Sequence, residues 1–152
     1  MQFAKEKANF EMGITFQVEN EKMPALNVPR ETIWLNSVAE SYGRRIRRLV
    51  YRFCDDEEIL RVNREFLNHD YYTDIITFDS SVGRSVDADI VISVDTVKSN
   101  AEEMDEPFER ELQRVIAHGL LHICGLKDKS PAERQEMEAA ENKALELWAS
   151  LS

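Results

Sequence analysis

The segment His118-Gly119-Leu120-Leu121-His122-Ile123-Cys124-Gly125-Leu126-Lys127-Asp128 constrains the fold of this chain more than any other stretch. Histidines four apart on an α-helix lie one turn above each other, roughly 5–6 Å between Cβ atoms, so both imidazoles can point at one ion. The segment therefore predicts a helix that carries a metal clamp. Gly125 supplies a left-handed helix stop that turns the chain back, and Asp128 lies close enough beyond it to offer an oxygen ligand. Two imidazoles and one carboxylate leave a coordination position open to water or substrate, which is the pattern of a catalytic rather than a closed structural zinc site. With three histidines in 152 residues, chance would produce such a pair about 0.06 times per chain, which favours the clamp over coincidence. An aspartate just past a helix also serves as a turn residue, so the carboxylate ligand is the weaker member of the set.

The spacing alone admits two enzyme classes. Metzincin-type metalloproteases share the H-x-x-x-H-x-x-G-x-x-[H/D] ligand geometry, but a glutamate follows their first histidine and acts as general base. Gly119 holds that position here. A glycine inside a helix costs about 1 kcal/mol relative to alanine, so the position calls for close packing or ligand access, and glycine moves no proton. Peptide hydrolysis by the usual route is disfavoured.

The motif His118-Gly119-x-Leu121-His122-x-x-Gly125-x-x-Asp128 resembles the H-G-x-L-H-x-x-G-Y-D-H signature of the YbeY-type metal-dependent endoribonucleases, factors of ribosomal RNA maturation. Asn63, the stretch Thr73-Asp74-Ile75-Ile76-Thr77-Phe78, and Asp89-Ile90-Val91-Ile92-Ser93 are similar to further family stretches in the same order, as is Glu136-Met137-Glu138. The resemblance spans roughly residues 34–147. It implies a zinc-dependent, single-strand-specific endoribonuclease that acts on precursor ribosomal RNA, at the 3′ end of the small-subunit species, and serves ribosome quality control. It also implies the small ribosomal subunit or its associated proteins as partners, with no DNA substrate. Three departures stand out. The family's third histidine falls on Asp128, its tyrosine and aspartate become Leu126 and Lys127, and the arginine four residues after its asparagine falls on Leu67. Arg64, one helical turn back, is the available substitute cation, with a solvated helix arginine as the alternative reading.

A chain of 152 residues with 43% hydrophobic residues buries a core without disulfides or a structural metal, so one domain over residues 1–152 is expected and the metal is free to be functional. Cys54 and Cys124 lack C-x-x-C spacing and read as reduced thiols. No apolar run approaches 18 residues and the first 13 contain no sustained apolar core, so neither a membrane span nor an export signal is expected, and the location is cytoplasmic. The net charge of −10 repels a phosphate backbone at long range, so RNA contact must be local. Arg44, Arg45, Arg47 and Arg48, extended by Arg52, form the densest cationic run. It reads equally as an RNA-docking surface or as a solvated turn and strand face.

Hydrophobic period and punctuation predict strands at residues 10–18, 49–54, 75–78 and 89–94, with a mobile connection over 79–87. Helices are expected over 31–42 and 55–67, the latter capped by Asp55, and over 95–104. Pro107 suits the first position of the helix bearing His118 and His122, and Ser130-Pro131-Ala132-Glu133 has the form of a capping box opening a helix to residue 151. The economical architecture is α+β (mixed α/β): about four mixed strands packed with about five helices as one layer pair. In the resulting mechanism His118, His122 and Asp128 hold a divalent ion, zinc by preference, that polarises a phosphoryl oxygen and acidifies a water. Glu111, two turns before His118, shares its face but reads more simply as a solvated glutamate. Two other classes stay open: a metal-dependent hydrolase of another substrate such as a peptide, and a non-catalytic ribosome-assembly factor whose metal only locks the loop after Gly125.

Overall fold

The computed structural model describes residues 13–19, 21–69 and 73–151. Strands β1 (Ile14–Glu19), β2 (Arg45–Cys54), β3 (Ile75–Asp79) and β4 (Ser85–Ser93) form one sheet in the order β1-β2-β4-β3. The first, second and fourth run parallel, and β3 pairs antiparallel with β4. Among the described residues five helices join them: α1 (Val28–Ser41), α2 (Asp56–Leu67), α3 (Val94–Glu103), α4 (Phe108–Ile123) and α5 (Pro131–Ser150). This is the α+β fold with a four-stranded mixed sheet that the sequence predicts. None of these helices is long and apolar enough to cross a membrane.

Period-2 alternation sorts the strand side chains between two faces. Leu49, Tyr51 and Phe53 of β2, with Val86, Ala88, Ile90 and Ile92 of β4, enter the main core together with Trp34, Leu35, Leu112, Ile116 and Leu120 of the helices. Each fully buried side chain of this size stabilises the fold by about 1.5–3 kcal/mol. Cys54, Ile76 and Val91 point the other way and meet Ile59 and Val62 of α2. The single helical layer expected from sequence thus describes the side covered by α1, α4 and α5, and α2 covers part of the opposite face.

The caps are where the sequence puts them. The Asp55 side chain accepts from the Glu58 backbone N–H at 2.8 Å, and Ser130 and Glu133 form both arms of a capping box. Pro107 stands one position earlier than expected, at the N-cap of α4 rather than inside its first turn.

Two strand boundaries need correction, and residues 10–12 of the expected first strand lie outside the described residues. The connection over 79–87, expected as a mobile loop, is strand at both ends, at Asp79 and from Ser85 onward. Only residues 80–84 link β3 to β4, closed by Val82 and Ser85, whose N–H groups donate to each other's carbonyls at 3.2 and 3.0 Å. Asp87 hides the early half of β4 from a propensity reading, since aspartate is depleted in sheets. The carboxylates of Asp87 and Asp89 are met across the ladder by arginines of β2, which likewise begins four residues early, at Arg45. Arg47 Nη1 and Arg48 Nη1 lie 3.1 and 2.8 Å from the two Asp87 oxygens, Arg48 also pairs with Asp89, and Arg52 Nη2 lies 3.2 Å from Asp89. A register shift between Ile46 and Arg48 lets Ile46 and Leu49 both face the core, with the paired arginines on the outer face.

Candidate metal centre

The clamp is built by the last two turns of α4 and the reversal that follows. Gly125 has φ +108°, its N–H donates to the His122 carbonyl at 3.0 Å, and the Leu126 N–H donates to the Leu121 carbonyl at 3.1 Å. This paired pattern is a Schellman stop, in which a left-handed residue satisfies the last helix carbonyls and turns the chain back. The reversal carries Asp128 alongside the helix. Its Oδ2 lies 3.2 Å from His122 Nε2 and 3.4 Å from His118 Nε2. Ligands about 2.0–2.1 Å from a tetrahedral zinc are separated by roughly 3.4 Å, so these distances match neighbouring corners of a coordination shell. One ligand atom from each of the three residues falls within 4.8 Å of the others. The donor set and its spacing fit a divalent ion.

Gly119 allows close packing against the sheet. A Cβ at that position would sit 2.9 Å from Ile90 Cδ1 and 3.0 Å from Ile75 Cδ1, so the absent side chain lets α4 lie directly on β3 and β4. Both histidines are thereby held against the edge of the sheet, where their side chains keep 19% and 31% of their exposure.

Sequence reasoning missed the groups behind the ligands. His118 Nδ1 lies 2.6 Å from Glu141 Oε2, and the other Glu141 oxygen accepts from Arg114 Nη1 at 2.9 Å. Burial works to raise the Glu141 carboxyl, but the hydrogen bonds and charges of His118 and Arg114 hold it below the ordinary carboxylate range. An ionised Glu141 makes Nδ1 the donating nitrogen and leaves Nε2 to face Asp128. Burial likewise pulls His118 down, yet Glu141, Asp128 and Asp74 together leave its imidazole more basic than usual. Asp74, just before β3, shares the cleft. No local spacing signals Glu141, which lies 23 residues beyond His118 on α5, although the helix carrying it was legible.

Glu111 is buried, 2% exposed, and bound through both carboxylate oxygens to Arg114 at 2.6 and 2.8 Å, so it is not the solvated glutamate expected. Arg64 occupies the last turn of α2 and Leu67 ends that helix, and the structure brings neither into the lining of the cleft beside His118. That cleft, about 650 Å³, is lined by Asp74, Arg110, Arg114, His118, Asp128 and Arg134 among others. Of the arginine run, Arg47, Arg48 and Arg52 are the ion-paired set described above, whereas Arg44 and Arg45 line a separate pocket at the start of β2. Cys124, at the cap of α4, is a free thiol pushed up to about 11 by burial, which keeps it protonated near neutrality.

Comparison with known proteins is decisive at this point. The sequence profile of the family described as Endoribonuclease YbeY matches residues 31–149. The chain belongs to the YbeY family. A YbeY endoribonuclease of Phocaeicola vulgatus is 54% identical over 134 residues, covering 88% of this chain and 97% of the relative. One from Bacteroides fragilis is 53% identical over 136 residues, with coverage of 90% and 98%. The fold is shared with a Thermotoga maritima protein solved in solution, at a TM-score of 0.57 and 21% identity over 90% of this chain and 92% of that one. By family, then, the enzyme is an endoribonuclease, and the three-residue clamp is the part of a YbeY fold suited to hold its metal.

Proposed function

We propose that this chain, as a single hydrolase domain, cuts single-stranded RNA at a centre formed by His118, His122 and Asp128, and that it does so in ribosomal RNA maturation on or near the small subunit in the cytoplasm. The observation that carries the reading is the meeting of both Nε2 atoms with one Asp128 oxygen, at 3.2 and 3.4 Å, in a chain of an endoribonuclease family. Zinc suits the two imidazoles and one carboxylate, and when bound it supplies Lewis acidity to a phosphoryl oxygen and lowers the pKa of a water. The chain's own residues do the rest. Glu141 fixes the tautomer and ring plane of His118, and Arg114 keeps Glu141 ionised in a buried site. Asp74 stands at the cleft as the carboxylate able to hold a proton or orient a water. Arg134 and Arg110, the latter paired with Glu106 at 3.6 Å, line the same cleft as cations available to a phosphodiester.

Metal-free and zinc-loaded protein, compared on single-stranded RNA, duplex RNA and casein, test this reading. Zinc-dependent cutting confined to the single-stranded RNA is the expected result. Casein hydrolysis would move the chain to the peptidase class, and a zinc-loaded protein that cuts nothing would leave the metal a structural role.

A further inference from the structure

The arginines at the start of β2 divide into two groups with different electrostatic fates. Arg47, Arg48 and Arg52 face Asp87 and Asp89, so their charge is largely neutralised within the sheet. Arg44 and Arg45 turn instead toward Arg84, which sequence order places 39 and 40 residues away. Pairing of Arg45 with Ser85 at the first rung of the parallel ladder, and donation by the Arg45 N–H to the Arg84 carbonyl at 2.9 Å, bring the three together. They line a pocket of about 460 Å³ with Asn36, Glu40 and Gly43. Three arginines and one glutamate line it, and among the described residues none of the three arginines is in an ion pair. Arg44 Nη1 is buried without a hydrogen-bond partner. A buried charged donor left unmatched is costly, and an anionic oxygen is the acceptor that satisfies it.

In a chain of net charge −10, a long-range field gathers no RNA, and a pocket that carries unpaired positive charge is where a phosphate would be held.

We infer that Arg44, Arg45 and Arg84 form a phosphate pocket that grips the backbone of the RNA strand, an assignment that rests on the RNA reading above. The pocket reads no base and anchors the strand through its phosphates.

The test uses a fluorescent single-stranded RNA and the full chain in chelator, so that the strand is bound but not cut. Arg45→Gln/Arg84→Gln removes two exposed charges of the pocket, and Arg47→Gln/Arg61→Gln removes two exposed, ion-paired charges elsewhere as a match for net charge. Losing two phosphate contacts on a single strand should flatten the log K against log salt slope by about 1.4 and weaken binding on the order of tenfold near 0.1 M salt. The matched pair should lose far less. Equal loss in the two double variants, or no loss in either, overturns the pocket. A wild type that cuts RNA with zinc while Arg45→Gln/Arg84→Gln binds normally removes the pocket alone, whereas a wild type that neither binds nor cuts RNA removes the RNA reading and the pocket together.

Discussion

His118 is used through both ring nitrogens, and that double use is what distinguishes it from an ordinary helix histidine. Nδ1 donates to Glu141 at 2.6 Å and Nε2 faces Asp128 at 3.4 Å, so the ring has one tautomer and one orientation before any ion arrives. Removing a partner of this kind commonly lowers metal affinity 10- to 100-fold, because the ligand must then be oriented at the moment of binding. Glu141→Ala should therefore weaken zinc binding within that range in a chelator competition, and Glu141→Gln, which keeps an acceptor oxygen but loses the charge, should fall between it and wild type. Zinc affinity equal in all three proteins would show that Glu141 serves only the buried pairing with Arg114. The residue scale also shows where sequence reading stops. Both histidines and Asp128 were legible because a helix repeat and a glycine stop are local patterns. Glu141 and Arg114 were not assigned, because their meeting depends on how α5 packs on α4.

Among the elements, α1 and α4 are joined by a buried polar contact whose chemistry depends on pH. Glu31 is fully buried, and Gln113 Nε2 donates to its Oε2 at 2.5 Å, but Glu31 Oε1 and Gln113 Oε1 both lack a hydrogen bond. Two unmatched acceptors are relieved when the carboxyl carries a proton. Burial pushes Glu31 up to about 7, against the opposing effects of Gln113 and Arg30. Its folded pKa thus lies above the unfolded value near 4.5, so the stabilisation is fully present below about pH 4.5 and is lost as pH rises through about 7. The shift corresponds to on the order of 3 kcal/mol. Urea unfolding at pH 5 and pH 8 should show wild type losing stability across that interval, and Glu31→Gln should lose roughly 2.5 kcal/mol less. An identical pH response in the two proteins would contradict a neutral Glu31. The elements themselves were legible where caps and period agreed, at Asp55, Ser130 and the α4 repeat. The early half of β4 was not, because Asp87 suits a strand only once the arginines of β2 lie across from it.

For the whole molecule, the sheet and its helices bring together three stretches distant in sequence: the start of β3, the end of α4 with the loop after Gly125, and Glu141 on α5. The net charge of −10 makes local charge, not net charge, the determinant of RNA contact. The arginine run from 44 to 48 looked like one patch in the sequence, since neither the register shift near Arg47 nor the distant Asp87 and Asp89 leaves a mark on it. The central claim is that one ion held by His118, His122 and Asp128 carries the cleavage. Its most direct test is to titrate zinc into metal-free protein and follow bound metal and single-stranded RNA cleavage in the same samples, for wild type, His118→Ala/His122→Ala and Asp128→Ala. Wild type should gain activity linearly up to one zinc per chain, the double histidine variant should bind no stoichiometric zinc and cut no RNA, and Asp128→Ala should need a higher zinc concentration to cut at all. Stoichiometric zinc or undiminished cleavage in the double histidine variant would contradict the account.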